Sequence, residues 1–316
     1  MTRGYHDIGG DPAGPIPITD LPWLHWEKQV EAVRNLLGDG TRRLLSLDEM
    51  RRGFESFGAD KYRALSFYRR RLEAMLDVLI EKDVITSAEF DAETAQVRPR
   101  WQHSTQAEEP HHDHDHDHDH DHPALVIEDE AGNIEGQILI DALQNLLVAR
   151  GLLAGEEVRR EIEKIESPGV HLGAKIVARA WTDADYKTRL LANGKSGAAE
   201  LGIAVGEAQL IVVENTAELH NLVCCTLCSC YPRSILGQPP SWYISKAYRA
   251  RAVREPRAVL ADFGLALPDS VQLVVHDSNA DMRYLVLPEP PPDSAALTEA
   301  ELAARVTRDA MIGVAR

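Results

Sequence analysis

Over the first hundred residues, apolar side chains recur at intervals of three and four, the period of a helix with one buried face. The repeat covers residues 26–37. A longer stretch over residues 63–81 aligns Leu65, Tyr68, Leu72, Met75 or Leu76, and Leu79. Ser46-Leu47-Asp48-Glu49 has the form of a capping box opening another helix, and Thr86-Ser87-Ala88-Glu89 opens a shorter one. No stretch before residue 100 alternates as a strand would. Later in the chain, residues 138–149, stopped by Gly151, and residues 173–181 and 183–192 read as helices. The pattern then changes to short β-branched runs at 209–215, 222–224, 271–275 and 283–287, bounded by turn residues. Thr298-Glu299-Ala300-Glu301 caps a final helix. The fold class expected is α+β, with an all-helical first segment and a layered mixed segment behind it.

Residues 101–122 separate the two. From His111 to His122, histidine and aspartate alternate after a leading His111-His112 pair, and seven of the chain's 13 histidines sit there. With no apolar side chain to pack, this His/Asp tract reads as a disordered linker. The domains expected are therefore a helical domain over 1–100, a linker over 101–122 and a metal-binding catalytic domain over 123–316. Imidazole and carboxylate together bind Ni, Cu, Zn or Co weakly, so a solvated spacer that binds metal incidentally is the simplest role for the tract.

Composition narrows the function. The chain has 316 residues, 44% hydrophobic and 27% charged, which suits a soluble protein of about two domains. No run approaches the length of a membrane span, and the start, Met1-Thr2-Arg3-Gly4-Tyr5, has no apolar stretch like a secretory signal. The expectation is a cytoplasmic protein with no membrane contact. The net charge is −16, and each of the three segments is negative, so nucleic acid is not an expected partner. All four cysteines lie between positions 224 and 230, which is no disulfide framework and points to metal or redox chemistry.

Within Cys225-Thr226-Leu227-Cys228-Ser229-Cys230, thiolates at i, i+3 and i+5 can converge on one ion only if the backbone folds into a tight claw. That fold would bring the amide nitrogens of Ser229 and Cys230 to the same ion, which suits a strongly Lewis-acidic Co(III) or Fe(III). A structural zinc site, usually four side-chain ligands in two pairs, and a Cys225-x-x-Cys228 redox pair remain open on spacing alone.

The flanks go further. Val213-Glu214-Asn215-Thr216, His220-Asn221-Leu222-Val223 and the cysteine cluster with Tyr231-Pro232 closely resemble the α subunit of nitrile hydratase. So do Leu236-Gly237-Gln238-Pro239-Pro240-Ser241-Trp242-Tyr243, the run Tyr248 to Arg257, Asp277-Ser278, Arg283 to Pro288 and Val306-Thr307-Arg308-Asp309. The resemblance covers essentially all of residues 134–315. Gly4 to Gly10, Trp26-Glu27, Asp48-Glu49-Met50-Arg51 and Ser66-Phe67-Tyr68 resemble the amino-terminal half of the family's β subunit, with Arg71 where the family usually has Trp. The resemblance implies a non-corrin Co(III) centre, with Fe(III) second, because Thr226 stands where the iron type has serine. Its sulfur ligands would be Cys225, Cys228 and Cys230, and Ser229 and Cys230 would give backbone nitrogens. Cys228 would be oxidised to sulfinate and Cys230 to sulfenate. Cys224 stands where valine is usual and is expected to be a buried small side chain. Arg51 would donate to the oxidised sulfur oxygens, Tyr68 would reach the substrate, and Arg254 would stand behind the site. Residues 69–71, three arginines, suggest a subunit contact.

The activity implied is hydration of a small nitrile to its amide, with Cys230, Arg51 and Tyr68 as catalytic residues. Thiocyanate hydrolase is the alternative. Arg233 after Tyr231-Pro232, the Asp-His repeat and a β-like half standing without its remainder lean that way. A cobalt-delivery or maturation protein is the third. The partners implied are a separate chain resembling the carboxy-terminal half of the β subunit, a second copy of this chain and an activator protein for cobalt loading. If the His/Asp tract only gathers metal, deleting residues 111–122 will lower metal per chain at limiting cobalt and leave turnover intact in cobalt-rich medium. Metal analysis paired with an activity assay checks this.

Overall fold

Residues 4–104 and 130–316 are described by the computed structural model, so the alternating His/Asp tract, with its expected disorder, lies outside the described residues. Packing gathers the chain into two compact units, one of residues 23–162 and one of residues 1–22 with 163–316. The division by packing thus differs from the one drawn on composition. Residues 4–22 join the cysteine-bearing unit, and residues 130–162 join the amino-terminal helices. No helix among the described residues is long and apolar enough to cross a membrane.

The helical unit carries α1 (His25–Gly38), α2 (Leu47–Ser56), α3 (Ala59–Ala64), α4 (Phe67–Glu81), α5 (Ser87–Ser104), α6 (Glu130–Ala149) and the start of α7 (Gly155–Glu166). The capping box at Ser46 forms as expected, with the Ser46 hydroxyl accepting from the Glu49 amide and the Glu49 carboxylate accepting from the Ser46 amide. The single helix expected over 63–81 is instead two. Leu65 is extended, and Ser66 starts α4 by accepting the Arg69 amide, because a serine hydroxyl competes for backbone donors and favours a cap. Behind the break Tyr68, Leu72, Met75, Leu76 and Leu79 are buried as the periodicity requires. Helix α5 is longer than expected and carries Pro99 inside it. Arg98 forms a two-bond ion pair with Glu135, and the Trp101 indole donates to Asp141 at 3.0 Å, which ties its last turns to α6. Trp101, assigned to the linker on composition, therefore belongs to a packed helix. The strongly charged α7 carried no apolar signal clear enough to predict it.

The second unit opens with α8 (Val170–Thr182), α9 (Ala184–Ala192) and α10 (Gly194–Glu200). Asp183 and Asn193 divide them by capping the helix that follows each. Then come β1 (Gln209–Glu214), β2 (Leu219–Cys224), α11 (Arg233–Leu236), α12 (Ser241–Ile244), α13 (Lys246–Arg254), α14 (Pro256–Asp262), β3 (Gln272–Asp277) and β4 (Met282–Leu287). All four expected strands form, in two parallel pairs, β1 with β4 and β2 with β3. Parallel partners need a long crossover. For β2 and β3 that crossover is α11 to α14, and it sets Cys224 opposite Asp277. The final helix expected at Thr298 is two short ones, α15 (Glu299–Ala303) and α16 (Arg308–Ile312), capped by Thr298 and Thr307. The amino-terminal segment is part of this unit's core. Ile16 is buried in it, the Gly10 amide donates to Ala250 O, and the Ser241 hydroxyl donates to Thr19 O.

A buried polar network locks β2 to the end of α16. Asn215 accepts both the Asn221 amide and its side-chain nitrogen, at 2.8 and 2.9 Å. His220 Nε2 lies 2.7 Å from the Gly313 carbonyl, so it carries the proton and leaves Nδ1 to accept from Asn215. Gly313 is left-handed at φ +89°, and a Cβ there would stand 1.9 Å from Asn221 O. Gly313→Ala should therefore cost about 2–4 kcal/mol of stability, read as a lower denaturation midpoint. Burial holds the His220 imidazole below its ordinary value of 6.5, so the unfolded chain takes up a proton at higher pH than the folded one. Its stabilising contribution is complete above 6.5 and is lost as pH falls through the folded value. Unfolding measured against pH should show that decline, and His220→Gln should flatten it.

Candidate metal centre

Strand β2 ends at Cys224, whose side chain is fully buried in the apolar core, and the chain then turns sharply through residues 225–230 before α11. The turn is closed by sulfur as well as oxygen. The Cys228 amide donates to Cys225 Sγ at 3.3 Å. Ser229 adopts φ +57°, left-handed for a residue with a Cβ, and so reverses the chain between Cys228 and Cys230. As a result the three sulfurs of Cys225, Cys228 and Cys230 lie within 4.8 Å of one another, with Cys228 to Cys230 at 3.1 Å and Cys225 to Cys228 at 3.9 Å. Cys225 and Cys230 are buried, and Cys228 is partly exposed.

This arrangement fits a bound metal ion. Burial pushes the Cys225 thiol up, and hydrogen bonding with Cys225 and Cys228, together with burial, pushes the Cys230 thiol up. Three thiolates at these distances repel one another unless a cation stands among them. The buried Ser229 hydroxyl has no hydrogen-bond partner, as expected of a loop shaped for something other than its own hydrogen bonds. A closed four-sulfur zinc site does not fit, because among the described residues the cluster holds three ligands and Cys224 is not one of them. A redox pair at the head of a helix does not fit either, since the first helix after β2 starts at Arg233, past both Cys225 and Cys228.

The loop is held from behind by residues that lie in the resembling motifs but to which the sequence assigned no role. Arg249 on α13, only 1% exposed, donates to the carbonyls of Cys225, Thr226 and Leu227 at 3.1, 2.7 and 2.7 Å. Asp277 accepts the Thr226 amide at 2.9 Å and its hydroxyl at 2.6 Å. Burial raises the Asp277 carboxyl above its usual range, and the bonds from Thr226 draw it back. Tyr243 donates to Cys230 O at 2.7 Å, and Tyr248 to Val223 O at 2.6 Å. Arg249 stands between the buried Tyr248 and Ala250, but α13 also carries Lys246, Arg251 and Arg254, so nothing in the sequence set it apart from them. Arg254, chosen from the same helix, is instead exposed at its end.

Arg51 and Tyr68 lie in the helical unit. Arg51 sits on α2 with Asp48 at 3.6 Å. Tyr68 is buried on α4, its ring centroid 4.9 Å from Phe67 and 5.8 Å from Trp23. The three arginines that follow, expected at a subunit contact, have partners inside their own unit. Arg69 pairs with Glu73, Arg70 lies over the Tyr62 ring, and Arg71 pairs with the buried Glu31.

The "Nitrile hydratase, alpha chain" family model matches residues 134–315, and "Nitrile hydratase beta subunit, N-terminal" matches residues 1–120. The low-molecular weight cobalt-containing nitrile hydratase subunit alpha of Rhodococcus rhodochrous is 46% identical over 177 residues, covering 55% of this chain and 86% of the relative. Thiocyanate hydrolase subunit gamma of Thiobacillus thioparus is 42% identical over 205 residues, covering 61% and 83%. A double mutant of the Fe-type nitrile hydratase from Comamonas testosteroni Ni1 superposes with a TM-score of 0.54 at 42% identity, covering 56% of this chain and 87% of that one. A model that matches more than half of the chain, and contains the claw at its centre, places the protein: it belongs to the nitrile hydratase family.

Proposed function

We propose that the protein hydrates a small nitrile to the corresponding amide at a non-corrin Co(III) centre. The observation that carries this reading is the convergence of Cys225, Cys228 and Cys230 around one point, with Ser229 left-handed between them. These three sulfurs and the backbone nitrogens of Ser229 and Cys230 would hold the ion. Cobalt is preferred to iron for Thr226 in the claw and for the cobalt-containing relatives at 46% identity. Bound there, a trivalent ion would polarise a nitrile and lower the pKa of a bound water.

The chain's own groups carry the remainder. With Cys228 as sulfinate and Cys230 as sulfenate, the loop presents anionic oxygens toward the substrate. The sulfenate oxygen of Cys230 would attack the nitrile carbon, with a water then restoring that oxygen, or a water that it orients would attack directly. In either case both protons of that water would pass to the nitrile nitrogen and the amide would leave. Arg51 holds the oxidised sulfur oxygens by charge-assisted hydrogen bonds, which a guanidinium forms two at a time. Tyr68 orients the substrate. Residues 1–120 match the amino-terminal part of a β subunit, which supports a separate chain resembling the carboxy-terminal half as a partner, alongside self-association and a cobalt-loading activator in a cytoplasmic setting.

Hydrolysis of thiocyanate is the second reading. It is favoured by the 205-residue match to the thiocyanate hydrolase subunit and by half-buried Arg233, which opens α11 just beyond the claw and suits an anionic substrate. A cobalt-delivery role is the third, and the complete ligand set argues against it. One preparation, grown with cobalt and with the co-expressed partner chain, should hold about one cobalt per chain and convert acrylonitrile to acrylamide. Ammonia from thiocyanate with no amide from acrylonitrile would reverse the order, and zinc alone would end both. Cys228→Ala or Cys230→Ala should abolish metal and turnover together, as metal analysis and assay will show.

A further inference from the structure

Apart from its sulfurs, the first half of the claw is gripped by two side chains of opposite charge. Arg249 gathers three successive carbonyls, those of Cys225, Thr226 and Leu227. Asp277 takes both donors of Thr226, the amide and the hydroxyl. The register of β2 with β3 delivers that carboxylate, since Cys224 pairs with Asp277 and the Ser278 amide donates to Cys224 O at 2.8 Å. On its other side the Thr226 methyl lies against Gly9, where an added Cβ would stand 2.5 Å from it. None of these contacts uses a ligand atom.

We propose that Arg249 and Asp277 are positioning residues that shape the Cys225–Cys230 loop before any metal arrives, so that the ion enters a claw already formed. Three carbonyls turned toward the protein interior would otherwise drag the loop out to water, because a buried acceptor without a donor is costly. The planar fork of a guanidinium can serve all three at once, whereas a lysine ammonium at the end of a flexible stem cannot reproduce that geometry. Asp277 fixes the remaining freedom by holding Thr226 through two bonds, and Thr226 in turn faces Gly9. The loop is therefore pinned on both its acceptors and its donors, and Cys228 is left as the most exposed of its three thiols.

The inference rests on the metal reading above only for what enters the claw, and its test reads the loop without metal. The full chain, made without cobalt, is treated with iodoacetamide and the labelled cysteines are mapped by mass. Cys228 should label first, with Cys225 and Cys230 slower by about tenfold or more, as local protection requires. Arg249→Lys should bring all three to similar rates and slow the uptake of added cobalt(II) by about tenfold, the loss expected when buried acceptors go unmet. Thr226→Val keeps the side-chain shape and removes the hydroxyl bond to Asp277, and it should give an intermediate pattern. Cys224, fully buried in the core, serves as the folding control and should label slowly throughout. If Cys224 becomes reactive in Arg249→Lys, that variant has unfolded and Thr226→Val decides, with wild-type protection there overturning the proposal. Equal labelling of the three claw cysteines in the wild type, or wild-type protection and uptake in a folded Arg249→Lys, also overturns it. Protection as expected with no cobalt taken up would support the preformed loop and refute the metal reading.

Discussion

Three sulfur atoms held within 4.8 Å of one another set the terms for the rest of the cysteine-bearing unit. As thiolates they repel, and as buried thiols they are poor ligands, so the arrangement is unfavourable for the chain taken alone. It persists because the surrounding fold leaves the loop little room to relax. Strand β2 brings the backbone in, Ser229 turns it over, Arg249 and Asp277 hold the polar groups, and Tyr243 secures Cys230 O. Each of these belongs to a different element, so the loop is determined by tertiary structure and not by its own six residues.

That division explains what could be read from the sequence. Strands at β1 to β4 were legible because β-branched runs bounded by turns report local backbone preference. The claw was legible because ligand spacing is itself local. Arg249 and Asp277 were not, because their roles depend on a crossover of some fifty residues and on the parallel register it creates. An arginine on a helix is ordinarily solvated, and nothing in its immediate neighbours says that its fork will meet three carbonyls. The missed break at Leu65 has the opposite cause. The apolar period continued through it, but the cap at Ser66 won locally.

Packing and composition divide the chain differently. A low-complexity tract invites a boundary at its first polar residue, yet Trp101 and Arg98 belong to helix–helix contacts with Asp141 and Glu135. Similarly, residues 1–22 were grouped with the helices that follow them in sequence, although their hydrogen bonds run to Ala250 and Ser241. Order along the chain is a weak guide to packing partners when a segment is extended and carries only a few buried side chains such as Ile8 and Ile16.

The two glycines that abut the claw strand and its loop have a consequence for synthesis. Gly9 lies against Thr226, and Gly313 lies against Asn221 on the strand that feeds the loop. On the ribosome Gly9 emerges early and Gly313 only after the whole intervening sequence. The cysteines therefore appear well before the residue that closes β2, and contacts so distant in sequence form late because their loop entropy must be overcome first. A nascent chain passes through an interval in which all four thiols are made and not yet enclosed. During that interval the cell's thiol chemistry, and not the fold, governs what happens to them.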